Sequence, residues 1–91
     1  MCKNLSLLRK LDARKNKIKE ISPHIKAMMQ LQVLRLDSNE LISLPEEIGE
    51  LRMLEELSFS GNKINELPVS IGKLKQLKIL NISENKIKHL S

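Results

Sequence analysis

Apolar residues recur along this chain with two periods at once. Over a few residues they alternate with polar ones, as in Leu34-Arg35-Leu36, the pattern of a short strand with one buried face. Over a longer distance the whole arrangement returns every 23 residues, and Asn16, Asn39, Asn62 and Asn85 keep that beat. The segments Leu8 to Ile18, Leu31 to Leu41, Leu54 to Ile64 and Leu77 to Ile87 all follow LxxLxLxxNxL, with Ala13 replacing the third apolar residue in the first of them. An internal repeat of this length decides the architecture before local propensity does. It divides the chain into a partial repeat 1–7, repeats 8–30, 31–53 and 54–76, and a partial repeat 77–91.

The pattern assigns an inward and an outward set. Leu34 and Leu36 point inward, while Val33, Arg35 and Asp37 point outward. Copies lying side by side make the strands a parallel sheet with three outward columns. The first holds Lys10, Val33, Glu56 and Ile79, the second Asp12, Arg35, Ser58 and Asn81, and the third Arg14, Asp37, Ser60 and Ser83. After each Asn the chain crosses the top of the stack, and Leu44, Ile48 and Leu51 return to the core. Pro45 and Pro68 suit the start of a short helical or 3₁₀ turn, because proline lacks an N–H that would be orphaned there. Glu46 and Glu47 suit its positive end. The Asn side chains, offering both donor and acceptor, are expected to form a ladder that satisfies backbone groups buried by the turn.

These residues resemble the leucine-rich repeat, in its intracellular 23-residue class, whose strand segment is followed by LPxxIxxL. Leu44-Pro45-Glu46-Glu47-Ile48-Gly49-Glu50-Leu51 and Leu67-Pro68-Val69-Ser70-Ile71-Gly72-Lys73-Leu74 match that ending. Ile21-Ser22-Pro23-His24-Ile25-Lys26-Ala27-Met28 departs from it, with proline one place late and lysine where glycine stands elsewhere. The resemblance implies an α/β solenoid, a right-handed superhelix with a curved parallel sheet on the concave side and short helical or 3₁₀ turns on the convex side. It is similar to Scribble-like and Ras-scaffold repeat proteins, and so implies a non-catalytic scaffold or regulator in intracellular signalling that binds a protein on its concave face. Two other readings stand beside it: a structural spacer within a larger repeat protein, and a nucleic-acid binder.

Composition narrows these readings. Phe59 is the only aromatic residue, so the core is aliphatic. No apolar run approaches the roughly 20 residues of a membrane span. The single cysteine, Cys2, and the charges at Lys3, Arg9 and Lys10, which break up any signal-like stretch, point to a cytoplasmic setting. The net charge of +5 is uneven: residues 1–30 carry eight basic side chains against two acidic, and residues 31–53 carry two against five. The basic first repeat (Arg9, Lys10, Arg14, Lys15, Lys17, Lys19) is what a nucleic-acid reading rests on. The acidic second repeat and the lack of aromatic stacking residues argue against it.

The two histidines, His24 and His89, have no metal-ligand neighbours in sequence, and no nucleophile, phosphate-loop or zinc motif occurs. Glu46-Glu47 and Glu55-Glu56 fall at outward, open positions, unsuited to acid–base chemistry. No cofactor or small molecule is expected. Asn4-Leu5-Ser6 and Asn81-Ile82-Ser83 match the glycosylation sequon, which a cytoplasmic chain would not use. Cys2 and Leu5 fall at inward positions of a repeat whose strand is missing, and Leu90 matches Leu67 just before Ser91. The beat thus runs off both ends, which suggests part of a longer array, with open strand edges that invite self-association.

Overall fold

A computed structural model describes residues 5–87. Cys2, Asn4, His89, Leu90 and Ser91, on which several of the expectations above fall, lie outside them. Four three-residue strands, β1 Lys10–Asp12, β2 Val33–Arg35, β3 Glu56–Ser58 and β4 Ile79–Asn81, alternate with 3₁₀ turns η1 Leu5–Leu7, η2 Pro23–Ala27, η3 Glu46–Glu50 and η4 Val69–Lys73. The strands form one parallel sheet in the order β1-β2-β3-β4. Lys10 pairs with Val33, Val33 with Glu56 and Glu56 with Ile79, so residues 23 apart stand side by side.

The strands are short because the chain must turn after each pair of inward side chains. That turn passes through a left-handed residue at the same place in every repeat: Lys15 (φ 60), Ser38 (φ 59), Gly61 (φ 69) and Glu84 (φ 56). Beyond it, backbone bonds continue the pairing from repeat to repeat. Glu40 N–H donates to Ile18 O (2.9 Å), Lys63 N–H to Leu41 O (2.8 Å) and Lys86 N–H to Ile64 O (2.9 Å).

The core is a column of apolar layers, aliphatic except for Phe59, against the expectation of a wholly aliphatic core. Leu31, Leu34, Leu36, Leu41, Ile48 and Leu51 of the second repeat are sealed from solvent, as are Leu54, Leu57, Phe59 and Ile64 of the third. Leu8, Leu11, Ile18 and Ile21 on one side, and Leu77, Ile82 and Ile87 on the other, are partly buried against that centre.

Pro45 and Pro68 stand at the start of the turn as its N-caps, in extended conformation (φ −72, ψ 153 and φ −66, ψ 143), and their carbonyls accept the first turn bonds from Ile48 and Ile71 N–H, both at 3.1 Å. The first-repeat departure is absorbed without a shift of register. Pro23 occupies the first helical position, where its missing N–H costs nothing, and Ser22 takes the cap with its hydroxyl accepting from His24 N–H at 3.1 Å. Ser-Pro and Leu-Pro therefore start the same turn by different means. Where η3 and η4 touch, Ser70 Oγ donates to Glu46 O at 2.7 Å.

Candidate functional site

The outward columns of the sheet form one surface, and its side chains are largely tied to one another. Just after β1, Arg14 Nε and Nη2 donate to the two carboxylate oxygens of Asp12, both at 2.8 Å. Across the central pair, Arg35 Nε donates to Glu56 Oε2 at 2.8 Å. Asp37 accepts Ser60 N–H at 2.8 Å and the Ser58 hydroxyl through the same Oδ1. In β4, Asn81 Oδ1 accepts from Ser83 N–H (3.2 Å) and Ser83 Oγ (3.0 Å).

These contacts explain the electrostatics of the face. The hydrogen bond from Arg14 holds the Asp12 carboxyl below its ordinary range, and the bond from Arg35 does the same for Glu56. Each guanidinium is raised in turn by its carboxylate partner. Lys10, at the head of the first column, makes no ion pair among the described residues and contributes a weaker attraction to Glu56.

The face is less open than its outward phase implies. Ser58 is buried, because Asp37 reaches across from β2 to accept its hydroxyl. Val33, Arg35, Asp37, Glu56 and Ser60 are half-buried. Glu56 is therefore not an open surface acid as its position suggested: its carboxylate is the partner of Arg35. Lys10, Asp12, Arg14, Ile79, Asn81 and Ser83 are exposed. The apolar residues of the face, Val33 and Ile79, stand on either side of Glu56.

The asparagines lie behind this face and bind one repeat to the next. Asn62 Oδ1 accepts Leu41 N–H at 3.0 Å, while its Nδ2 donates to Leu36 O (3.0 Å) and Phe59 O (2.9 Å). Asn39 links Ile18 N–H and Ala13 O to its own Leu36 O. Asn85 links Ile64 N–H and Phe59 O to Ile82 O. Among the described residues Asn16 bonds only within its own repeat, to Ala13 O and Arg14 O, and it is exposed. With amide protons and oxygen all engaged, Asn39, Asn62 and Asn85 hold backbone rather than ligand.

Elsewhere, His24 Nδ1 lies 2.9 Å from Ser22 Oγ in the first turn. No cluster of potential metal ligands occurs among the described residues, and no described helix is long and apolar enough to cross a membrane. A hollow of about 450 Å³ lies on the flank before the strands, lined by Ser6, Arg9, Met29, Gln30, Gln32 and Met53. Met29 and Met53 sit in adjacent columns of neighbouring repeats, a signal that outward strand positions alone do not carry.

Comparison with known proteins agrees with the geometry. Residues 2–90 match the family model described as a leucine-rich repeat region. Among solved structures, the chain is similar to the Leptospira interrogans LRR protein LIC12759, at 37% identity and TM-score 0.86 over 91% of this chain and 22% of that one. It is similar also to the leucine-rich repeat domain of APL1B, at 30% identity and TM-score 0.85 over 91% of this chain and 26% of that one. An internalin (inlF) from Listeria monocytogenes matches at TM-score 0.84 and 24% identity, over 94% of this chain and 24% of that one, which shows the shared fold alone. The chain thus spans about a quarter of the length of these structures. No curated protein sequence matches it. Leucine-rich repeats serve generally as protein-interaction modules and are typically non-catalytic, and four in-register strands with a matching family model over nearly the whole length place this protein plainly: the chain belongs to the leucine-rich repeat family.

Proposed function

We propose that the chain is a non-catalytic protein-interaction module that acts as a scaffold or regulator in intracellular signalling, with its partner seated on the exposed face of the sheet. The observation that carries this reading is the face itself. Lys10, Val33, Glu56 and Ile79 stand in one row across four hydrogen-bonded strands, flanked by side chains already fixed by their own hydrogen bonds. Such a surface binds without first ordering its side chains, which removes a cost that flexible surfaces meet on association. The LPxxIxxL turns and the single cysteine support the intracellular setting.

Photocrosslinking in cells tests the reading. A photoreactive residue at Ile79 or Asn81 is expected to trap a protein partner, while the same residue at Val69, which is 88% exposed on the opposite turn, is not. Trapping at Val69 alone, or equally at both sites, would count against the sheet face. A second reading, a spacer that orients binding residues elsewhere, is favoured by the internal pairing of the charges at Asp12, Arg14, Arg35 and Glu56. It expects no trapping at either site.

A further inference from the structure

The first outward column has an order that selects its occupant. Reading along the stack, it runs from a cation, Lys10, to an apolar residue, Val33, to the carboxylate of Glu56, to a second apolar residue, Ile79. Glu56 is not a free anion. Its Oε2 is taken by Arg35 Nε, and among the described residues the two side chains make no other hydrogen bond. The centre of the column therefore keeps an acceptor, Glu56 Oε1, and the Nη donors of Arg35 without hydrogen-bond partners among the described residues, the charges of the pair cancelling and the Asp37 carboxylate beside them held by Ser58 and Ser60. A carboxamide is the group that meets both at once, presenting its own donor and acceptor in one plane. A partner carboxylate there would compete with Glu56 for Arg35, and a partner cation would compete with Arg35 for Glu56.

Spacing then chooses the partner's backbone. Neighbouring strands stand about 4.8 Å apart, so Lys10, Val33, Glu56 and Ile79 recur at about that interval along the stack. An extended chain returns to the same face every 6.6 Å or so and falls out of step with the column. A helix presents side chains on one face at i, i+3 or i+4, and i+7, at a rise of about 1.5 Å per residue, or roughly 5 and 10 Å. The helix keeps step across all four repeats.

We infer that the partner is an amphipathic helix laid across the strands, along the stack axis. It carries an acidic residue over Lys10, an apolar residue on Val33, an Asn or Gln over the Arg35–Glu56 pair and an apolar residue on Ile79. This deepens the sheet-face reading and rests on it. In helix terms the partner bears Asp or Glu about four residues before the first apolar position, the amide three or four residues after it and the second apolar residue about seven after it. Lys10, which makes no ion pair among the described residues, sets the direction, so the acidic end of the helix lies toward β1.

A displayed library of helical peptides randomised along one face, selected against the full chain, tests this. The expected enrichment is acid, apolar, amide, apolar at those spacings. Affinity of the selected peptides is then measured against the Ile79→Ser and Lys10→Glu variants, both at exposed positions, with far-UV circular dichroism showing that each remains folded. Each variant is expected to weaken binding about tenfold, the loss of one good contact. Exchanging the peptide's acid for Lys is expected to restore binding to Lys10→Glu. Enriched peptides that carry a carboxylate at the central position, yet lose affinity with Ile79→Ser, would overturn the helix chemistry and leave the sheet-face reading standing. Peptides untouched by both variants, including any that bind the hollow at Met29 and Met53, would overturn both, as would the absence of enrichment.

Discussion

Ser38 and Gly61 hold equivalent left-handed positions just before consecutive asparagines, yet only one is a residue suited to the conformation. An L-residue there brings Cβ close to the following carbonyl, at roughly 1–2 kcal/mol. Ser38 is exposed and its hydroxyl makes no hydrogen bond among the described residues. Ser38→Gly is thus expected to stabilise the chain by about 1 kcal/mol, less the entropy that glycine adds to the unfolded chain, and Gly61→Ala to destabilise it by a similar amount. Urea midpoints of the two variants check both. Titration gives a second handle at this scale. The Arg35 bond lowers the Glu56 pKa in the folded chain. The stability this contributes is fully present above the carboxyl's unfolded pKa and is lost as pH falls through its lowered folded value. Arg35→Gln is expected to return Glu56 to the ordinary carboxylate range and to flatten the acid limb of stability against pH. Carboxyl titration by NMR, with denaturation at neutral and acidic pH, follows both effects.

The turns show how an element can match in sequence and differ in structure. Gly49 and Gly72 occupy identical places in two LPxxIGxL turns, and sequence offers one role for both, as punctuation. In the fold, a Cβ on Gly49 would lie 2.5 Å from Ser70 Cβ and 2.6 Å from Ser70 O, because η4 packs directly on η3 there. A Cβ on Gly72 meets no atom of the described residues within 4 Å. Gly49→Ala must push backbone apart and is expected to cost about 2 kcal/mol or more, in the range of overpacked cores. Gly72→Ala is expected to be neutral or mildly stabilising, since alanine suits a helical turn better than glycine. Thermal unfolding of the pair separates the two roles. The same distinction explains what sequence could and could not reach. Strand register was legible, because a 23-residue beat places Lys10, Val33, Glu56 and Ile79 side by side whatever their chemistry. The burial of Ser58 was not, since it depends on Asp37 reaching across from the neighbouring strand. Nor was the Arg35–Glu56 pair, which joins residues in different columns. The single-residue shift of Pro23 was visible, but its harmlessness follows only from the Ser22 hydroxyl capping the turn in place of Pro45 or Pro68.

At the scale of the whole stack, each repeat touches only its neighbours, so burial depends on where a repeat sits rather than on its own sequence. Leu34, Leu57 and Leu80 are equivalent residues in register on β2, β3 and β4. Leu34 and Leu57 are fully buried, whereas Leu80, on the edge of the described sheet, is 37% exposed. A fully enclosed leucine truncated to alanine leaves a cavity walled on both sides and costs about 2–5 kcal/mol. A partly exposed one loses less apolar area, and its surroundings relax toward solvent, so the cost falls to about 1 kcal/mol. Leu57→Ala is therefore expected to destabilise far more than Leu80→Ala, although a repeat alignment scores them alike. The asparagine ladder sharpens the contrast. Asn62 fastens the third repeat to the second through Leu41 N–H and Leu36 O, so a collapse around Leu57 would strain the bonds that join the two best-buried repeats. Chemical denaturation of the two variants, read by far-UV circular dichroism, decides the matter. Equal losses at both sites would mean that stability is set within each repeat, and would contradict the nearest-neighbour account of the stack.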